Sequence, residues 1–205
     1  MSGLSLQTDA FVLAKRDAAD PYQGFDLFSP EHGGLRALQR LSRKAPPTQP
    51  PLDLFDEADL VLESSNEGRT WFVREARIVV RRSEIGRSYD TLLYAAGLCT
   101  AIARNPIPEE GRAAVTDLLR TALAAFVAGK NPEIVYIKGL YRLARDEGYP
   151  VREEWIPSLA EADRAAAISI LNQPSDQQTA DAALTARVRG LLEAYLENQT
   201  EIRLR

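Results

Sequence analysis

The chain holds one cysteine, Cys99, and one histidine, His32, in 205 residues, and these scarcities exclude several chemistries before any pattern is read. Zinc ribbons, zinc fingers and iron–sulfur sites need several soft ligands, so no metal site is expected within the chain, and no intrachain disulfide can form. A lone cysteine fits a reducing compartment. Any Ser/His/Asp or Cys/His triad would rest on His32, which sits in Pro30-Glu31-His32-Gly33-Gly34, a segment that reads as a turn. The carboxylate pairs Glu109-Glu110 and Glu153-Glu154 are adjacent in sequence and diverge on a helix, which makes them poor acid/base pairs. Gly33-Gly34 lacks the Lys-Ser/Thr or the further glycines of a phosphate loop. A non-catalytic protein without cofactors is the expectation.

Long apolar runs are missing too. The longest nearly apolar stretch, 92–103, has twelve residues and includes Thr100, whereas a membrane span needs about 18 or more. The first residues, Met-Ser-Gly-Leu-Ser-Leu-Gln, lack the basic and apolar regions of an export signal, so a cytoplasmic protein without membrane contact is expected. An excess of positive charge is also lacking. The net charge is −4, with 11 basic and 12 acidic residues in 1–82 and 14 and 17 in 83–205. A polyanion site would have to come from segregation of charge on the surface.

What is present is ordinary globular material, 45% apolar and 26% charged, enough to bury a core. Its character changes near residue 83. Before that point, short β-branched and aromatic stretches alternate with Pro, Gly and Asp clusters, which predicts strands at 8–16, 23–29, 35–42, 58–64 and 70–82. Asp20-Pro21, Pro30, Gly33-Gly34 and Asn66-Glu67-Gly68 supply the breaks, and the Pro-rich 45–51 makes a stiff connection leaning toward polyproline II. Five short strands suit a small closed barrel, of OB or SH3-like type. Trp71 and Phe72 fall on opposite faces of one strand, so at least one belongs to the core, and the other could be a stacking platform or pack under the helical domain.

After residue 83 the period becomes helical. Leu92, Ala95, Ala96, Cys99 and Ile102 share one stripe, and Val115, Leu118, Leu119, Ala122 and Phe126 another. Cys99 is therefore expected as a buried structural thiol. Asn131 and Pro132 open a third helix that ends at Gly148-Tyr149-Pro150; Ser158 with Glu161 reads as a capping box for a fourth; and Leu184, Val188, Leu191, Leu192 and Tyr195 mark a fifth. The reading is α+β: a five-stranded β-barrel domain in 1–82 followed by an all-α bundle in 83–205.

Two basic constellations stand out. Lys15, Arg16, Arg36, Arg40, Arg43 and Lys44 lie in the strand half, with Arg36 and Arg40 on one face because the side-chain period is two. Such a track could bind phosphates by counterion release, although a solvated strand face has the same composition, and acidic Asp53, Asp56, Glu57 and Asp59 follow it. In the helical half Lys138, Arg142 and Arg145 stand four and three apart beside an apolar stripe, with Arg112 and Arg120 as further members. That surface could take an acidic peptide with a hydrophobic end or a phosphate backbone, or be solvated.

The run 8–17 (Thr-Asp-Ala-Phe-Val-Leu-Ala-Lys-Arg-Asp), followed by 25–37 with its Phe28-Ser29-Pro30-Glu31-His32-Gly33 turn, resembles the start of the RecO family of recombination mediators. The basic Arg40-Leu41-Ser42-Arg43-Lys44, the joining segment Val73-Arg74-Glu75-Ala76 and the Gly148-Tyr149-Pro150 punctuation are similar to that family's parts in the same order. Many members carry a four-cysteine zinc module after this punctuation; 151–157 contains no ligand, so the resemblance is to zinc-free members. It implies an N-terminal OB-fold, a helical domain, binding of single- and double-stranded DNA, strand annealing and recombinase loading. A RecR-like protein and the acidic tail of single-stranded DNA-binding protein are the implied partners. The rival expectation is a protein-interaction adaptor of the same architecture that has lost nucleic-acid binding.

Overall fold

Burial alternates along 33–40 and 58–64 with the two-residue period of strands, and a computed structural model, describing residues 4–41, 49–64, 66–174 and 181–204, contains five strands. They are β1 (Leu4–Arg16), β2 (Tyr22–Ser29), β3 (Gly33–Arg40), β4 (Glu57–Ser64) and β5 (Trp71–Val80). The chain is α+β, a five-stranded sheet followed by helices. β1 starts earlier than the apolar pattern from residue 8 suggests, because Leu4 to Gln7 find partners in Ser64 to Val61. β1–β2, β2–β3, β4–β5 and β1–β4 are antiparallel, and β3 pairs parallel with β5, giving the order β1-β2-β3-β5-β4.

One face of these strands makes the core of the first unit: Ala10, Val12, Phe25, Leu27, Leu60, Leu62 and Trp71, with Leu52 from the connection before β4. Each large side chain buried in this way contributes about 1.5–3 kcal/mol. The β2–β3 turn closes on Ser29, whose Oγ accepts the N–H groups of Glu31 and His32 at 3.1 and 3.0 Å, and Gly33 takes φ +71. His32 is thus a turn residue.

The helices are α1 (Tyr89–Arg104), α2 (Arg112–Val127), α3 (Pro132–Asp146), α4 (Ile156–Ser158), α5 (Glu161–Asn172) and α6 (Ala182–Gln199), with a wide helical turn at Val151–Trp155. Cys99 is fully buried on α1. Asn131 caps α3 by accepting from Glu133 and Ile134 N–H at 3.1 and 3.3 Å, with Pro132 in the first turn. Ser158 does not cap α5. It ends α4 and donates to the Trp155 carbonyl at 2.7 Å, while Ala160 stands at the α5 N-cap without a side-chain bond. The Ser/Glu spacing is correct for a capping box, but the helical turn of 151–158 claims the serine first.

The chain divides into two compact units, Met1–Ser83 with Pro106–Thr116, and Glu84–Asn105 with Asp117–Arg205. A single cut after residue 82 misses the return of 106–116 to the strands. Prolines at 106 and 108 interrupt the helical pattern there, and Arg112 donates to the Glu31 carbonyl of the β2–β3 turn. Among the described residues no helix is long and apolar enough to cross a membrane.

Candidate nucleic-acid interface

Residues facing away from the core on β2, β3 and the start of β5 form a row across the sheet. Arg16 stands opposite Gly24, Gly24 opposite Leu38, and Leu38 opposite Phe72. One step along, Tyr22 faces Arg40, and in the other direction Asp26 faces Arg36. Cross-strand partners share a face, so Arg16, Arg36, Arg40, Tyr22 and Phe72 occupy one surface. Trp71 goes to the core, and Phe72 meets Tyr22 edge to face at 5.7 Å and 72°.

Charge on this surface is sorted. Asp26 is held by Arg16 at 2.6 Å, and Glu63, opposite Phe72 on β4, by Arg74 at 2.6 Å. The hydrogen bond to Asp26 and its charge raise the Arg16 pKa further. Arg36 and Arg40 are exposed and have no carboxylate partner among the described residues. Lys15 is not brought onto this face. The pairing register shifts between Val12 and Ala14, which places Lys15 opposite core-facing Phe25, and its ammonium meets Asp53 at 2.7 Å. Arg43 and Lys44 lie outside the described residues.

The second unit carries a groove of about 620 Å³ between α3, the turn at 151–156 and α5. Lys138, Arg142, Arg145 and Arg152 supply its charge, and Ile156, Ile168 and Leu171 its apolar wall. The sequence stripe of Lys138, Arg142 and Arg145 is thus gathered at one site, and Arg152, hidden from the helical pattern by the break at Gly148 to Pro150, joins it. Arg142 bonds Asp117 at 2.7 Å and Asp146 at 3.3 Å, and Asp146 also holds Arg145 at 2.7 Å. Burial opposes the Arg142 charge, but the bonds to these two aspartates outweigh it and its pKa is raised. Lys138 donates to the Gln173 carbonyl. Arg120 is exposed on α2, and Arg112 belongs to the first unit through the Glu31 carbonyl.

Tyr22 and Asp26 are the members of the strand surface that sequence reasoning missed. Only the register signals them: two-residue alternation along β2 puts both on the side opposite Phe25 and Leu27. The chain matches no protein-family model and no curated protein.

Proposed function

We propose that the chain is a non-catalytic DNA repair and recombination mediator of RecO type, binding single- and double-stranded DNA through the β2–β3 surface. The carrying observation is the sorting of charge there: Asp26 and Glu63 are paired, and Arg36 and Arg40 have no carboxylate partner among the described residues and could meet an external anion. The strand order, with β1 paired to β4 and β3 parallel to β5, supports reading the sheet as a closed OB-type barrel, whose strands 2 and 3 commonly receive oligonucleotides. Arginines on such a surface position the phosphate backbone and do not read bases. The groove of the second unit fits the acidic, hydrophobic-ended tail of a single-stranded DNA-binding protein, and a RecR-like protein is the second partner.

Fluorescence anisotropy on labelled oligo-dT and on a duplex, titrated with salt, tests this reading. Binding weakens steeply with salt, and Arg36→Ala with Arg40→Ala lowers the log–log slope by roughly two. Salt-independent binding, or none near 50 mM salt, overturns it. The adaptor reading is favoured by the basic and apolar groove together with a first half that is not basic overall; it expects peptide capture without DNA binding.

A further inference from the structure

The second unit holds a smaller cavity, of about 290 Å³, where α1, α3 and α6 meet the segment that follows α6. Its apolar lining is Leu93, Tyr94, Tyr136 and Leu204. Tyr136 lies against Gly97, where a Cβ would stand 3.1 Å from its ring, and the Tyr94 and Tyr136 rings meet tilted at 5.5 Å. Leu204 is held in place through its neighbour. The side-chain amide of Asn105, just past α1, accepts the Arg203 N–H and donates to the Arg203 carbonyl, both at 3.0 Å. The walls are therefore pre-formed. One turn before Leu93 on α1 stands Tyr89; the two are 49% and 77% exposed, so apolar surface continues from the cavity out to solvent.

The charges around this cavity are unequal. Those that reach the Tyr94 phenol are Glu133, Arg189 and Asp90. Arg189 lies 5.9 Å from the centre of the Tyr94 ring and is shared by Glu133 at 2.7 Å and Glu193 at 3.0 Å. Three carboxylates thus stand around one guanidinium that two of them already hold.

We propose that this cavity receives one large apolar side chain from a partner polypeptide that carries Lys or Arg beside that anchor. The volume falls just below the range of about 300–1,000 Å³ usual for drug-sized ligands and suits a single anchoring side chain. Charge complementarity sets the flanks. An acidic segment would add to the three carboxylates, whereas a cation beside the anchor offsets them. The site is opposite in sign to the groove between α3 and α5, and it stands or falls independently of the DNA reading.

The test uses the full isotope-labelled chain and three acetylated peptide amides, Lys-Gly-Phe-Gly-Lys, Glu-Gly-Phe-Gly-Glu and Lys-Gly-Gly-Gly-Lys, followed by NMR. The first moves the amide resonances of Tyr94, Gly97 and Tyr136. It binds about fivefold tighter than the acidic peptide and about tenfold tighter than the one without phenylalanine. Leu93→Ser, at a half-exposed wall position, weakens it about fivefold, and Leu93→Met keeps the affinity. Equal binding of the basic and acidic peptides, shifts confined to other residues, no shift with any peptide, or an unchanged affinity in Leu93→Ser overturns the proposal. Self-association of the full chain in sedimentation, abolished by Leu93→Ser, would assign the face to a second copy and overturn it too.

Discussion

Arg16 and Asp26 hold each other across the β1–β2 ladder, the Arg16 Nε donating to both carboxylate oxygens at 2.6 Å. The pair is asymmetric, since the Arg16 side chain is 51% exposed and that of Asp26 only 10%. Asp26 therefore depends on Arg16 for compensation of a nearly buried charge, and Arg16 is partly withdrawn from any phosphate.

Two variants of that pair separate stability from binding. Asp26→Asn releases Arg16 and steepens the salt dependence of oligo-dT binding by about one unit of log–log slope. Arg16→Ala leaves the carboxylate without its partner and costs on the order of 1–3 kcal/mol in urea unfolding. A slope unchanged from that of the unmodified protein would show that Arg16 takes no part in binding.

Lys15 and Asp53 give a pH signature. Burial pushes the Asp53 carboxyl up, but the Lys15 hydrogen bond, the Leu54 N–H and the charges of Lys15 and Arg81 outweigh it, so its pKa is lowered. A depressed folded value contributes stability above the ordinary aspartate range, and that contribution is lost as pH falls through the lowered value. Lys15→Met removes the first of the lowering groups. NMR titration of the Asp53 carboxyl carbon should report a midpoint shifted to higher pH, with acid unfolding beginning at correspondingly higher pH.

Glycines of the second unit predict opposite signs for one substitution. On α3 a Cβ at Gly139 would stand 2.8 Å from a Cδ of Leu98, which is fully buried on α1, so Gly139→Ala forces repacking. The strain of about 1–3 kcal/mol exceeds the helix-propensity gain of about 1 kcal/mol. At Gly190 on α6 an added Cβ meets nothing within 4 Å, and Gly190→Ala stabilises by about 0.5–1 kcal/mol. Thermal midpoints moving the same way in both variants would contradict the α1–α3 approach.

The groove of the second unit is tested through Arg152, which lines it with no carboxylate partner among the described residues. Arg152→Ala weakens capture of a labelled acidic peptide ending in phenylalanine by roughly fivefold, with a shallower salt dependence. Isothermal titration with the full chain reads this directly. Unchanged affinity would remove the groove as the peptide site.

Local signals carried most of what was legible. Asn131-Pro132 caps a helix wherever the chain goes, because its bonds reach only to Glu133 and Ile134. The Ser29 to Gly33 turn is equally local, as is the apolar stripe that buries Cys99. Ser158 shows the limit of such signals: two helical segments competed for one serine, and the outcome depended on the turn at 151–155.

The candidate surface lies beyond that limit. By itself the sequence determined the change from strands to helices near residue 83, the start of α3, the β2–β3 turn and the common face of Arg36 and Arg40, since each follows from backbone periodicity or from bonds within a few residues. Tertiary structure decided the rest. The register shift in β1 sent Lys15 to Asp53 and Arg16 to Asp26, and the parallel β3–β5 pairing set Phe72 beside Leu38, within reach of Tyr22. A strand's period states which residues share a face, but only pairing between distant strands fixes which faces meet and which charges are neutralised there.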